Sequence, residues 1–178
     1  MTELSLYILD IVQNSITAGA TCIDIGLVQK GSHLTFSVID NGCGMNEEMC
    51  EKVLDPFTTS RTTRRVGLGL PFLKLAAEQT GGTLELKSEL GKGTSLVAIF
   101  DTEHIDMVPL GDFAGTVFAL IQGSPDIHFV IIREHDDKEY TLDTDELREM
   151  LGEDIPLNEP DVLMWISDYV SENEQELR

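Results

Sequence analysis

What this chain lacks narrows its reading first. No stretch approaches the roughly 18 consecutive apolar residues that a membrane-spanning helix needs. The start, Met1-Thr2-Glu3-Leu4, has no basic segment of the kind that opens a signal peptide. Both absences point to a cytoplasmic protein. Basic residues are scarce: 12 Lys and Arg stand against 32 Asp and Glu, a net charge of −20. With a pI near 4.3, the chain is repelled by phosphate backbones, which argues against a nucleic-acid binder. Cysteines are few and odd in number (Cys22, Cys43 and Cys50), with no Cys-x-x-Cys pair. That argues against a disulfide framework and against a zinc site, and leaves three ordinary thiols. Internal repeats and low-complexity stretches are missing too.

Enough remains to build a core. Of 178 residues, 42% are hydrophobic and 25% charged, as in a soluble globular protein of one or two domains. The charge is uneven. Residues 1–101 carry 12 acids and 8 bases, a net −4, and residues 102–178 carry 20 acids and 4 bases, a net −16. The split suggests two regions, a first domain over 1–101 and an acidic α+β extension over 102–178.

Hydrophobic spacing gives the elements. Leu4, Ile8, Ile11 and Ser15 recur at helical intervals, flanked by Val12 and Ile16, and predict a helix over 3–18 that Gly19 ends. Alternation at Ile23, Ile25 and Leu27, then at Leu34, Phe36 and Val38, predicts two strands joined by Lys30-Gly31-Ser32. Asn46 is placed to cap a short helix reaching Leu54. A polar segment from Pro56 to Val66 reads as a mobile loop. It is followed by a helix that starts after Gly67 and stops at Gly81-Gly82, then by strands around Leu84-Leu86 and over 95–100. Helices and hairpins in this order imply an antiparallel sheet covered by helices. In the extension the spacing predicts a helix over 113–121, a hairpin over 127–142, a short helix capped by Thr144 and a last helix over 161–173 capped by Asp161.

Four local features carry chemistry, and each is ordinary when taken alone. Asp10, Gln13, Asn14 and Thr17 share one face of the first helix, opposite its apolar stripe. An Asn oxygen suits Mg²⁺ and an Asp can orient or deprotonate a nucleophile, though such a face is also simply solvated. Asp40-Asn41-Gly42-Cys43-Gly44 follows a strand. It is either a hairpin turn or a loop in which Asp40 accepts a hydrogen bond from an exocyclic amine while Gly42 and Gly44 let backbone approach a flat base. Gly67-Leu68-Gly69-Leu70 opens a helix, where N–H groups can meet phosphates, yet it is neither a Gly-Lys-Ser/Thr loop nor Gly-x-Gly-x-x-Gly. Gly91-Lys92-Gly93-Thr94 is a turn between strands.

Together and in this order, the four features, with Asp55-Pro56-Phe57 between the second and third, resemble the N, G1, F, G2 and G3 boxes of the GHKL ATPase superfamily, which includes DNA gyrase B, heat-shock chaperone ATPases, histidine kinases and MutL-type repair proteins. The resemblance covers residues 4–100. Asn14-Ser15, Ala18-Gly19-Ala20-Thr21 and Asp40 to Met45 resemble MutL. Asp55-Pro56-Phe57, the short lid, Gly67 to Leu70, Gly81-Gly82 and Gly91 to Thr94 resemble histidine kinases.

The resemblance implies the Bergerat fold: an α+β sandwich with a mixed, mainly antiparallel sheet covered by helices, here with the small C-terminal α+β extension. It also implies ATP (or ADP) with Mg²⁺ as the ligand. Asn14 then matches the Mg²⁺-binding asparagine and Asp40 the aspartate that reads the adenine amine. Gly42 and Gly44 match the glycines under the base, Phe57 the aromatic of the F box, Gly67 and Gly69 the lid hinge and phosphate contacts, and Thr94 the threonine near adenine. Arg61, Arg64 and Arg65 fall in the lid, where one of them neutralises γ-phosphate charge or all three merely keep the lid polar. One departure bears on catalysis. The family's ATPases carry Glu four residues before the Asn, and Asp10 stands there, one methylene shorter. A displacement of about 1 Å can cost roughly 100-fold in rate.

Three functions compete under this resemblance. A sensor histidine kinase needs an acceptor histidine on a helix ahead of the ATP domain. The chain starts at the N-box helix, and His33, His104, His128 and His135 fall in strands or loops. A repair or topoisomerase ATPase needs a longer following domain than 102–178 supplies. A regulator resembling anti-sigma-factor kinases, binding Mg-ATP and acting on a protein partner, fits the size. The −16 of the extension either steers a basic partner or is only a soluble surface.

Overall fold

The computed structural model describes residues 3–57 and 68–178. Helix α1 (Leu4–Thr17) buries Leu4, Ile8, Ile11, Val12 and Ser15, the stripe that its spacing predicts. Gly19, at φ +82°, ends it. No side chain caps its start. Instead the carbonyls of Pro109 and Leu110 accept the N–H groups of Leu4 and Ser5 at 2.8 and 2.9 Å. The first orphan donors of α1 are thus satisfied by a segment more than a hundred residues away.

Strand β1 (Cys22–Lys30) and strand β2 (His33–Asp40) form the expected hairpin. Helix α2 (Glu47–Val53) begins where Asn46 accepts the Met49 N–H at 2.9 Å. Helix α3 (Gly69–Gln79) is followed by the hairpin of β3 (Thr83–Glu89) and β4 (Gly93–Asp101). Helix α4 (Phe113–Gly123) is capped by Asp112, and the hairpin of β5 (His128–His135) and β6 (Lys138–Asp143) comes next.

The last two helices start differently from the sequence expectation. Helix α5 (Thr144–Leu151) is capped by Asp143, whose carboxylate accepts the Asp145 N–H at 2.9 Å. Thr144 is instead wholly buried, and its hydroxyl accepts the Phe129 N–H at 2.8 Å, tying the helix to β5. Helix α6 (Pro160–Leu177) begins one residue before Asp161 and has no side-chain cap. Proline fits there because its missing N–H would be unpaired in any case. The helix also runs past Asn173, because Glu174 and Leu177 are buried and hold its last turn against the core.

The strands make one mixed sheet in the order β3-β4-β2-β1-β5-β6. Every neighbouring pair is antiparallel except β1 and β5, which run parallel over eight residue pairs from Cys22–His128 to Gln29–His135. Alternation on the strands turns Ile23, Ile25, Phe36, Val38, Phe100 and Phe129 inward, and all are buried. Helix α1 packs beside α3 on one flank and α4 on the other, and α4 packs against α6. A single apolar core, from Leu4 through Phe36 and Phe100 to Phe129 and Ile166, joins the first domain to the extension. Each such phenylalanine contributes about 1.5–3 kcal/mol by leaving water. The result is the α+β sandwich of the Bergerat type. No helix among the described residues is long and apolar enough to cross a membrane.

Candidate functional site

Four chain segments meet at one end of the sheet because of strand register. The β2–β4 pairing sets Asp40 opposite Thr94, and the β3–β4 pairing sets Ser88 opposite Thr94. Helix α1 runs above them. A cavity of about 410 Å³ opens here, lined by Asn14, Ser15, Asp40, Gly44 and Thr94 among polar and small groups, and by Ile11, Val38, Met45, Met49, Leu70, Leu86 and Leu96 among apolar ones.

Asp40 is held by three donors. Its Oδ1 accepts the Gly42 N–H at 2.9 Å and the Thr94 N–H at 3.2 Å. Its Oδ2 accepts the Ser15 hydroxyl at 2.6 Å. A carboxylate offers about four lone-pair positions, so one more donor can be taken. Ser88 organises the facing wall. It accepts the Met45 N–H at 2.7 Å and donates to the Gly93 carbonyl at 2.9 Å, so the Thr94 hydroxyl, 2.8 Å away, donates to Ser88. Asn41 turns away from the cavity, its carboxamide bound to the Thr21 and Cys22 N–H groups and to the Thr21 hydroxyl.

The glycines hold the loops at contact distance. A Cβ on Gly44, at φ +72°, would lie 2.0 Å from the Glu89 carbonyl. One on Gly93, at φ +128°, would lie 2.0 Å from the Asp40 carbonyl. The loop after β2 therefore abuts the β3–β4 turn with no room for a side chain, and this contact delivers Asp40 to Thr94. Gly42 is buried against Ala18 and lends its N–H to Asp40 rather than facing the cavity.

Asp10 stands one turn before Asn14, against the start of α3. A Cβ on Gly69 would lie 1.6 Å from Asp10 Oδ2, so a side chain there would have to push this carboxyl aside. That oxygen is buried and has no hydrogen-bond partner among the described residues. Burial raises the Asp10 pKa above the ordinary carboxylate value, and the Gly69 N–H works the other way. Gln13 and Thr17, on the same face by sequence, are exposed, and Thr17 also lines the cavity.

The structure thus brings Asn14, Asp40, Gly44 and Thr94 to one cavity and sets Asp10 and Gly69 against each other. Phe57 is 95% exposed and lines no part of the cavity. Arg61, Arg64, Arg65 and Gly67, with the lid over 58–66, lie outside the described residues. Two groups escaped the sequence reading. Ser15 sits on the apolar stripe of α1, and a hydroxyl at a core position is the signal that could have marked it. Ser88, a polar residue in an alternating strand, carries no local signal at all.

This chain matches the family model described as "Histidine kinase-, DNA gyrase B-, and HSP90-like ATPase" over residues 2–104. Among curated proteins it is 27% identical over 158 residues to the sensor kinase CckA of Brucella abortus, covering 76% of this chain and 17% of that protein. It is 31% identical over 94 residues to sporulation kinase C of Bacillus subtilis, covering 52% and 22%. With the CAI-1 autoinducer sensor kinase/phosphatase CqsS of Vibrio cholerae the identity is 34% over 84 residues, covering 47% and 12%. The chain therefore spans only 12% to 22% of the length of these relatives. On the family match, the chain belongs to the histidine kinase-, DNA gyrase B- and HSP90-like ATPases, and residues 2–104 are its ATP-binding, histidine-kinase-like domain.

Proposed function

We propose that the protein binds Mg-ATP in the cavity beneath α1 and acts in the cytoplasm on a protein partner, either by passing on the γ-phosphoryl group or by presenting a nucleotide-dependent surface. The reading rests most on Asp40, whose carboxylate is fixed by three donors and keeps one acceptor position. An adenine amine fills that position, and a base with a carbonyl there leaves two acceptors facing each other. A site built for one hydrogen-bonding pattern rejects the other strongly. Met45, Met49, Val38 and Leu86 supply apolar surface for the flat base, and Thr94 stands across from Asp40 to position a bridging water.

Asn14 and Asp10 fit Mg²⁺ by their donor chemistry: a carboxamide oxygen, and a buried carboxylate oxygen lacking a partner among the described residues. Asn14 would hold the ion, which when bound offsets charge on the triphosphate. Asp10, one turn before Asn14, is proposed to orient an attacking hydroxyl or water. The N–H groups at the start of α3 favour phosphate there, and Arg61, Arg64 and Arg65 are proposed to add positive charge to the same end.

The named relatives are sensor and sporulation kinases, which favours phosphoryl transfer as the output. Incubation with γ-labelled ATP and Mg²⁺ tests it. A labelled protein in the lysate, with none on this chain, supports transfer to a partner. Acid-labile label on His33, His104, His128 or His135 contradicts it in favour of self-phosphorylation. Free labelled phosphate alone identifies an ATPase.

A further inference from the structure

A second cavity, of about 350 Å³, lies at the other end of the sheet. Its outer wall is the segment joining β4 to α4. That wall is held in place by the Thr102 N–H on the Ser32 carbonyl at 2.8 Å, and by the Pro109 and Leu110 carbonyls on the first N–H groups of α1. The cavity is therefore formed in advance, and a ligand entering it spends little on ordering the protein.

Leu27, Leu34, Met107 and Val108 give this cavity apolar walls, and Arg133, His104, Gln29 and Thr102 its polar groups. Arg133 is 8% exposed. Its Nε donates to both carboxylate oxygens of Glu174 at 3.2 and 3.1 Å, and its Nη1 to the Glu134 carbonyl at 3.2 Å and the Leu27 carbonyl at 3.5 Å. Among the described residues Nη2 donates to nothing, so two of the five guanidinium N–H groups remain to be used. His104 accepts the Asp106 N–H at its Nδ1, 3.0 Å away. Its neutral ring therefore carries the proton on Nε2, a second donor.

From this geometry we infer that the cavity is a binding site for a small amphipathic carboxylate. The hydrocarbon body fills the space against Leu34, Met107 and Val108, and the carboxylate takes the remaining edge of Arg133 with the His104 Nε2–H. A charged acceptor on an arginine makes the stronger, shorter hydrogen bond, which favours the acid over its neutral amide. The size favours a short chain or a single ring, because the cavity is at the lower end of the roughly 300–1,000 Å³ of small-molecule sites. A polyphosphate is disfavoured by the apolar walls, which leave most of its oxygens without donors.

The test titrates the full chain with octanoate and phenylacetate, and with octanamide and phenylacetamide as neutral counterparts, by calorimetry and saturation-transfer NMR. The acids are expected to bind about ten-fold or more tighter than the amides. Val108→Trp, which fills the cavity, is expected to abolish binding of both. Arg133→Met alone strands Glu174, so Arg133→Met is paired with Glu174→Met, removing both charges together. In that double variant the acid-to-amide ratio should fall to about one. Equal affinity for acids and amides in the unmodified chain overturns the inference. So does binding that survives Val108→Trp, or no binding of any acid at millimolar concentration.

Discussion

Ser15 shows how one hydroxyl ties the core to the ligand site. It occupies a buried position of α1 that apolar spacing would give to Ala or Leu, and it donates to Asp40 Oδ2 at 2.6 Å. Ser15→Ala removes one of three donors from that carboxylate, and a hydrogen bond to a charged acceptor contributes about 1.5–3 kcal/mol. ATP affinity measured by calorimetry should fall by roughly ten-fold or more with little change in fold. An unchanged affinity would show that Asp40 needs no positioning from α1. Asp10 makes a prediction in pH. Its folded pKa is raised by burial, so the stability it contributes is fully present at low pH and is lost as pH rises through the folded value. Asp10→Asn stays neutral throughout, so at about pH 8 it should raise Tm by a few degrees, with the gap closing towards about pH 4. A constant gap across that range would contradict the burial argument. Asp10, Asn14, Asp40 and Thr94 were legible in the sequence because short motifs carry them. The Asp10–Gly69 contact was not, because 59 positions of sequence separate two residues that only the packing of α1 against α3 brings together.

At the scale of elements, the candidate site depends on two loops pressed together at glycine. Gly44 and Gly93 combine a positive φ with a carbonyl 2.0 Å from where a Cβ would stand. Gly91 has a positive φ and open space around it. Gly91→Ala should therefore cost only the left-handed penalty, about 1–2 kcal/mol in urea unfolding. Gly44→Ala and Gly93→Ala should cost more, about 3 kcal/mol or beyond, because backbone must also move. Equal costs at all three positions would mean that the loops do not need this contact. Element ends show what local signals can carry. Asn46 caps α2 as its position suggested. At α5 the cap is Asp143 and not its neighbour Thr144, since the threonine is drawn inward to β5, a demand that comes from tertiary packing.

For the whole molecule, the sheet makes the acidic extension part of the same body as the ATP-binding domain. Strand β5 pairs with β1 from Cys22 to Gln29, and the core is continuous from Leu4 to Ile166. All six strands were readable as elements, the last two as a hairpin across Asp136-Asp137-Lys138. The parallel β1–β5 pairing was not, because pairing between strands about a hundred residues apart leaves no mark in either one. The lone tryptophan, Trp165, lies on α6 in the extension. Its fluorescence and the far-UV dichroism of the whole chain should therefore report one coincident urea transition. Two separated transitions would show that the extension folds by itself. An adenine-reading ATP site built around Asp40 can be probed by calorimetric titration of Mg-ATP and Mg-GTP into the unmodified chain and into Asp40→Asn. ATP is expected to bind, GTP not to compete, and Asp40→Asn to weaken ATP by about ten-fold or more while Tm is largely kept. GTP competing equally with ATP, or a folded Asp40→Asn variant with unchanged ATP affinity, would contradict it.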